Sequence, residues 1–263
     1  MLLSPGVSAA VDLKLSVHSA ILMDMTTGRV LLSHNADDPL QPASITKVLS
    51  LYLADEAIRE GRVRPTDPVK ISRKAQRTGG SKMFLQAGSE IPLQDLLKGM
   101  AVVSANDASV AVAEYLGGNV ENFVKQMNGK ARELGMNNSC FKNPNGLPAR
   151  GQFTTARDML VLACDYLRQF PECLELHSQQ YFTYRDITQR NRNSLLRRYP
   201  NADGLKTGWV VQAGYHIVAT AKRGKTRLIA VVMGAKTPAI RTRETERLLD
   251  EGFMMVGRDL RQG

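Results

Sequence analysis

The chain has 263 residues, 43% hydrophobic and 23% charged, which is ordinary for a globular protein and ample for one domain with a substantial core. It contains no apolar run of about 18 residues, no low-complexity tract and no repeat of fixed period, so a membrane-spanning helix and a repeat architecture are excluded. The net charge of +10 suits anionic surroundings such as a cell envelope rich in phosphate and carboxylate, but no basic stripe with interleaved aromatics supports nucleic-acid binding.

Taken in chain order, residues 1–10 are ambiguous. Val7-Ser8-Ala9 has the small-x-small end of a signal peptide, without the charged and apolar segments that should precede it. Residues 1–16 are therefore read as an N-terminal extension or signal remnant. From 18 to 37 the pattern is strand, turn, strand, with strands at 20–23 and 30–32 around Thr26-Thr27-Gly28. Pro42 then precedes a helix over 44–60, apolar on most sides and ended by Gly61.

Residues from about 64 to 165 read as helices and loops, with apolar helices at 93–103 and 108–116 and an amphipathic helix at 120–134 stopped by Gly135. Thr155-Ala156-Arg157-Asp158 looks like a capping box opening another helix. Strands follow at 205–211, 215–222 and 227–234, joined by turns too short for anything but antiparallel pairing. A helix over 241–256 closes the pattern. The expected fold is α+β: an antiparallel sheet flanked by helices, with an all-helical subdomain (about 64–165) inserted between the first two strands and the last three. Residues 17–263 are expected to form one catalytic domain.

Cys140, Cys164 and Cys173 cannot all pair, and Cys164 lies in an apolar run, so no disulfide framework is invoked. His18, His34, His177 and His216 show no metal-ligand spacing, which argues against a zinc peptidase.

Three short motifs carry chemistry. Ser44-Ile45-Thr46-Lys47 puts a hydroxyl and an amine one helical turn apart, and such a lysine can deprotonate the serine only where its ammonium form is disfavoured. The N-terminus of the predicted helix adds positive potential and outward N–H groups for an oxyanion. Alone this is weak, since Ser139-Cys140-Phe141-Lys142 matches too, in a loop-like stretch beside Asn143-Pro144-Asn145-Gly146. Ser104-Ala105-Asn106 falls between two apolar helices. Its hydroxyl could relay a proton and its amide could orient Lys47, while Asn106 or Asp107 could also cap the next helix. The second motif is also weak alone, because Ser33-His34-Asn35 fits it. Lys206-Thr207-Gly208 occurs in a strand, where glycine allows close approach and lysine with threonine could hold a carboxylate. The alternative there is a strand edge guarded by lysine.

In that order, on a helix start, an interhelical loop and a strand, the set matches the penicillin-binding proteins and class A β-lactamases. The sequence resembles the low-molecular-mass penicillin-binding proteins, the serine D-alanyl-D-alanine carboxypeptidase family, over roughly 17–256. Met83-Phe84-Leu85, Leu134-Gly135-Met136-Asn137-Asn138, Asn191-Arg192-Asn193 and Asp203-Gly204-Leu205 extend the resemblance beyond the three motifs.

The resemblance implies a transpeptidase/β-lactamase-like fold and an exported enzyme of the periplasm or cell envelope, without cofactor or metal. Its substrates would be peptidoglycan stem peptides, and β-lactams would inhibit it covalently. Ser44 would attack the D-Ala–D-Ala carbonyl, Lys47 would take its proton, and the backbone N–H groups of Ser44 and Trp209 would hold the oxyanion. Ser104 and Lys206 would pass a proton to the leaving D-Ala, and Thr207 would bind the terminal carboxylate with Arg192 or Arg241 in support. Gly208 and Trp209 complete the expected binding strand. Trp209 stands where relatives often carry a small or polar residue.

Many relatives continue into a β-rich domain and an amphipathic anchor, whereas this chain ends near the end of their catalytic domain, as a truncation or as a shorter, unanchored branch. Short relatives include endopeptidases, so the leaving group stays open. A β-lactamase would need a deacylating glutamate. Glu133 and Asn137 have the spacing, but Glu133 lies near the end of the amphipathic helix and reads as a solvated charge. A β-lactam sensor would normally be tethered by a membrane helix, which the sequence lacks.

Overall fold

The computed structural model describes residues 14–259, so the small-x-small segment lies outside the described residues. In chain order the elements are β1 (Ser19–Asp24), β2 (Arg29–His34), a 3-10 turn (Ala43–Thr46), α1 (Lys47–Arg59), β3 (Pro68–Lys70), α2 (Arg73–Arg77), β4 (Glu90–Pro92), α3 (Leu93–Val102), α4 (Asn106–Gly117), α5 (Val120–Glu133) and α6 (Ala156–Gln169). Then come α7 (Cys173–His177), β5 (Tyr181–Tyr184), β6 (Ile187–Arg190), α8 (Leu195–Arg198), β7 (Ala202–Val210), β8 (Gly214–Arg223), β9 (Thr226–Ala235) and α9 (Pro238–Asp259).

β1 and β2 join the three late strands in one antiparallel sheet of order β2-β1-β9-β8-β7. The β1–β9 pairing, Ser19 opposite Met233 through Asp24 opposite Leu228, closes the insertion. Alternation along the strands sends Ile21, Met23, Val218, Ile229 and Val231 to the larger core with α1, α3, α4 and α6. Ala20, Leu22, Ile217, Ala219 and Val232 face Leu248 and Leu249 of α9. The sheet is thus covered on both faces, and β7 is left at its edge.

α1 runs through the middle of the larger core, with Val48, Leu49, Leu51 and Ala54 at 0% exposure. Burial of each large aliphatic side chain there stabilises the fold by roughly 1.5–3 kcal/mol. Local signals ended several helices as read: Gly118 and Gly135 are left-handed stops, and Thr155 caps α6 by accepting from the Asp158 N–H at 3.1 Å.

Departures are instructive. α-Helical bonding starts at Lys47 and not at Ser44, because Ala43 takes φ +49° and the chain enters through a tight 3-10 turn. Neither Asn106 nor Asp107 caps α4; Ala105 occupies that position, and both side chains are used elsewhere. The β3–β4 and β5–β6 ribbons, α7 and α8 carry little periodic signal, and their form comes from tertiary packing. α6 packs on β1 and β9 as well as on α1. The three cysteines are free, and Cys164 is buried with its Sγ 3.4 Å from the Met23 sulfur. Among the described residues no helix is long and apolar enough to cross a membrane.

Candidate active site

The centre lies where the 3-10 turn, the α3–α4 loop and β7 meet. Ser44 is half-buried, while Lys47 is fully buried, its Nζ donating to Asn106 Oδ1 at 2.7 Å and the Asn145 carbonyl at 2.8 Å and lying 3.0 Å from Ser44 Oγ. Burial pushes the Lys47 pKa well below the usual lysine range; the positive charge of Lys206 pushes the same way, and Asp107 opposes them. A neutral amine within hydrogen-bond reach of a serine hydroxyl is a competent general base.

Each partner is itself held. Asn106 Nδ2 donates to the Gly79 carbonyl at 2.7 Å, which fixes the amide so that its oxygen faces Lys47. Ser50 Oγ donates to the Pro144 carbonyl at 2.8 Å, and Gly146 packs so closely on Ala43 that a Cβ would sit 1.7 Å from the Ala43 oxygen. The Asn143–Gly146 turn is thereby held against the turn that carries Ser44. Asp107, at 0% exposure, accepts from the N–H groups of Met83 and Leu85, both at 3.1 Å, and pins the Met83-Phe84-Leu85 strap over α4. The site roles of Asp107 and the Asn145 carbonyl were not read from the sequence. The turn chemistry of Asn-Pro-Asn-Gly was the available signal for the second.

Ser104, 5% exposed at φ +63°, arrives on the same loop as Asn106, without a hydrogen bond to Ser44 or Lys47. Ala43 and Ser104 are both non-glycine residues in left-handed conformations, the kind of strain that surrounding structure must impose.

β7 supplies the opposite wall. A Cβ on Gly208 would lie 2.9 Å from the Ser44 nitrogen, so only glycine lets this strand approach Ser44 so closely. Lys206 is 1% exposed, donates to the Thr207 carbonyl at 3.0 Å, and has its pKa lowered to about 7 by burial and by Arg241 and Arg192. The edge-guard reading of Lys206 is thus corrected, since its ammonium is buried. Arg241 is 5% exposed; its Nη2 donates to Thr242 Oγ1 at 3.3 Å, Ser194 Oγ lies 3.5 Å away, and its buried Nε has no hydrogen-bond partner among the described residues. Burial lowers its pKa to about 10. Arg192 is exposed, on a segment held by Asn191 and Asn193, whose amides reach the carbonyls of Gln179 and Gly204 at 2.8 and 3.3 Å. Thr207 is 6% exposed, and Trp209, half exposed, stacks on Tyr215 at 5.7 Å between centroids. The site is therefore rich in cations, and Asp107, the carboxylate that acts on Lys47, is already committed to backbone donors.

Glu133 lies outside this centre, exposed and paired with Lys130 at 2.8 Å, as a solvated helix charge should be.

Penicillin binding protein 5 from Haemophilus influenzae has the same fold, with a TM-score of 0.91 at 39% identity over 94% of this chain and 73% of that chain. The architecture defines the class: the fold is that of the penicillin-binding proteins, the serine transpeptidase fold. A family model described as D-alanyl-D-alanine carboxypeptidase, Peptidase_S11, matches residues 6–237. The chain belongs to that family. The D-alanyl-D-alanine carboxypeptidase DacC of Escherichia coli K12 is 44% identical over 240 residues, 89% of this chain and 60% of that protein. A protein of Pseudomonas aeruginosa described as D-alanyl-D-alanine endopeptidase is 31% identical over 88% of this chain and 76% of its own length. The chain spans about three fifths of the length of the curated carboxypeptidase relatives it matches.

Proposed function

We propose that this chain is the catalytic unit of a serine DD-carboxypeptidase that removes the terminal D-Ala from peptidoglycan stem peptides through a Ser44 acyl-enzyme. The observation that carries the reading is the Lys47 amine, fully buried, 3.0 Å from Ser44 Oγ and held well below its ordinary pKa. Neutral Lys47 takes the proton as Ser44 Oγ attacks the D-Ala–D-Ala carbonyl. The N–H groups of Ser44 and Trp209, brought close by Gly208, receive the oxyanion. Ser104 and Lys206 deliver a proton to the departing amine. Thr207 and the cations Arg241 and Arg192 hold the terminal carboxylate, a negative partner for Arg241, whose buried Nε is otherwise unpaired among the described residues. Water then releases the shortened peptide.

A β-lactam presents a strained amide and a carboxylate to the same groups, and its acyl-enzyme persists. Stem peptides lie outside the cytoplasm, so the reading places the protein in the cell envelope after export.

The test is mass spectrometry of purified muropeptides, monomeric and cross-linked, after incubation with the protein, with and without penicillin. Penicillin-sensitive loss of one D-Ala from pentapeptides is expected, and no change in any muropeptide would overturn the assignment. A second reading, hydrolysis of cross-links, is favoured by the similarity to the endopeptidase and would appear in the same experiment as splitting of dimers.

A further inference from the structure

One buried group links the sheet to the segment just ahead of the nucleophile and is not used by the chemistry above. His216 lies on β8, opposite Gly208 in register, at 0% exposure. The Gly234 N–H donates to its Nδ1 at 3.0 Å, and its Nε2 lies 3.0 Å from the Gln41 carbonyl oxygen. An N–H can only donate and a carbonyl can only accept, so the ring is neutral, with the hydrogen on Nε2. Burial, reinforced by the positive charge of Arg241, holds its pKa near 4 and keeps that neutral form at ordinary pH.

The placement follows from the sheet. Tyr215 pairs with Ala235 but Ile217 with Val232, so Met233 and Gly234 together face His216 in a bulge. Gly234 takes φ +77°, and a Cβ there would sit 2.4 Å from His18 Cβ, so its backbone is crowded into this one form. Its displaced N–H finds an acceptor in the imidazole. At the other end of the ring, Gln41 leads through Pro42 and the left-handed Ala43 directly into Ser44.

We infer that His216 is a positioning residue for Ser44: its Nε2–H braces the Gln41 carbonyl against the β8–β9 bulge and fixes the turn that aims Ser44 Oγ at Lys47. This rests on the reading of Ser44 as the acylated nucleophile.

The ring makes two separable links, and two substitutions divide them. The Asn oxygen of His216→Asn falls near the place of Nδ1 and keeps the Gly234 link, but no donor reaches Gln41. The Gln nitrogen of His216→Gln falls near Nε2 and keeps the Gln41 link. Noncovalent binding and the acylation step are separated by stopped-flow with a fluorescent penicillin, and Tm is measured for each variant.

The Asn variant is expected to acylate about tenfold slower or worse, with binding changed less than about twofold and Tm near wild type. The Gln variant is expected to recover most of that rate while its Tm falls by several degrees, since a buried N–H loses its acceptor. Acylation that follows Tm in both variants, or an Asn variant at the wild-type rate, would overturn the assignment. Independently of any variant, nitrogen-15 NMR of histidine-labelled wild type at pH 7 should show hydrogen on Nε2 and a bare Nδ1; the other tautomer or an imidazolium would also overturn it. A wild-type chain that penicillin does not acylate would instead defeat the reading of Ser44, and His216 positioning with it.

Discussion

The chain carries two Ser-x-x-Lys tetrads, and their surroundings give them opposite fates. In the first, Lys47 is sealed from solvent, surrounded by carbonyl and amide oxygens and faced by a second cation, and its amine contacts the serine. In the second, Lys142 is exposed, while Ser139 Oγ is consumed by the Asp158 carboxylate and the Thr154 hydroxyl, both at 2.7 Å. Asp158 also accepts from the Asn138 N–H at 2.9 Å, so the second serine is part of a clamp that closes the α5–α6 connection. Identical spacing therefore says nothing about reactivity. What matters is whether the fold removes the lysine charge and leaves the hydroxyl free to be attacked for its proton.

Exchanging the two tetrads in mutagenesis is the sharpest way to break this contrast. Ser44→Ala should lower labelling by fluorescent penicillin at least ~10³-fold, since no other activated hydroxyl replaces it, whereas Ser139→Ala should label as wild type. Full labelling of the first variant would reverse the assignment. Lys47→Ala should slow acylation by about 10²–10⁴-fold, the usual contribution of a general base, and Lys142→Ala should leave it unchanged.

The pH dependence of the second-order acylation rate probes the two buried lysines together. On the acid side the rate should fall as Lys47 takes up a proton, at a pH far below the ordinary lysine range. On the alkaline side it should fall as Lys206 loses, above about 7, the proton that it and Ser104 pass to the departing nitrogen. A profile flat from pH 6 to 9 would contradict this.

Lys206 also links pH to stability. Its pKa is near 7 when folded and 10.5 when unfolded, so the unfolded chain binds the extra proton between those values. Stability should rise with pH across that window as the burial penalty is relieved. At pH 7 Lys206→Met should accordingly be more stable than wild type by a few kcal/mol in urea unfolding, although it is inactive. A less stable Met variant would mean that the ammonium is better compensated than its surroundings indicate. The smallest effect belongs to the second tetrad: Ser139→Ala should cost about 1–3 kcal/mol, because Asp158 loses one of its donors, with acylation unaffected.

Much of the framework was legible because its causes are local. Alternation marked the β1–β2 hairpin and the three late strands, and Gly135 and Thr155 ended or opened helices by their own backbone and side-chain chemistry. α9 begins at Pro238, three residues ahead of the expected 241, because Thr237-Pro238 is a cap followed by a first-turn proline; Thr237 Oγ1 accepts from the Ile240 N–H at 3.1 Å. The short ribbons β3–β4 and β5–β6 had no comparable signal, being too brief for any periodicity to rise above background.

By itself the sequence determined the order of the three motifs, the elements that carry them and hence the family, since these depend on neighbours a few residues apart. Only the tertiary structure decided that Lys47 is sealed from solvent beside Ser44 while Lys142 is exposed, that Asp107 holds a strap and caps no helix, and that Gly208 admits β7 to within reach of Ser44. The reason is physical. Lys47 owes its depressed pKa to desolvation and to Lys206, and its hydrogen bonds to residues 59 and 98 positions away, and such fields and close approaches exist only once the chain has folded.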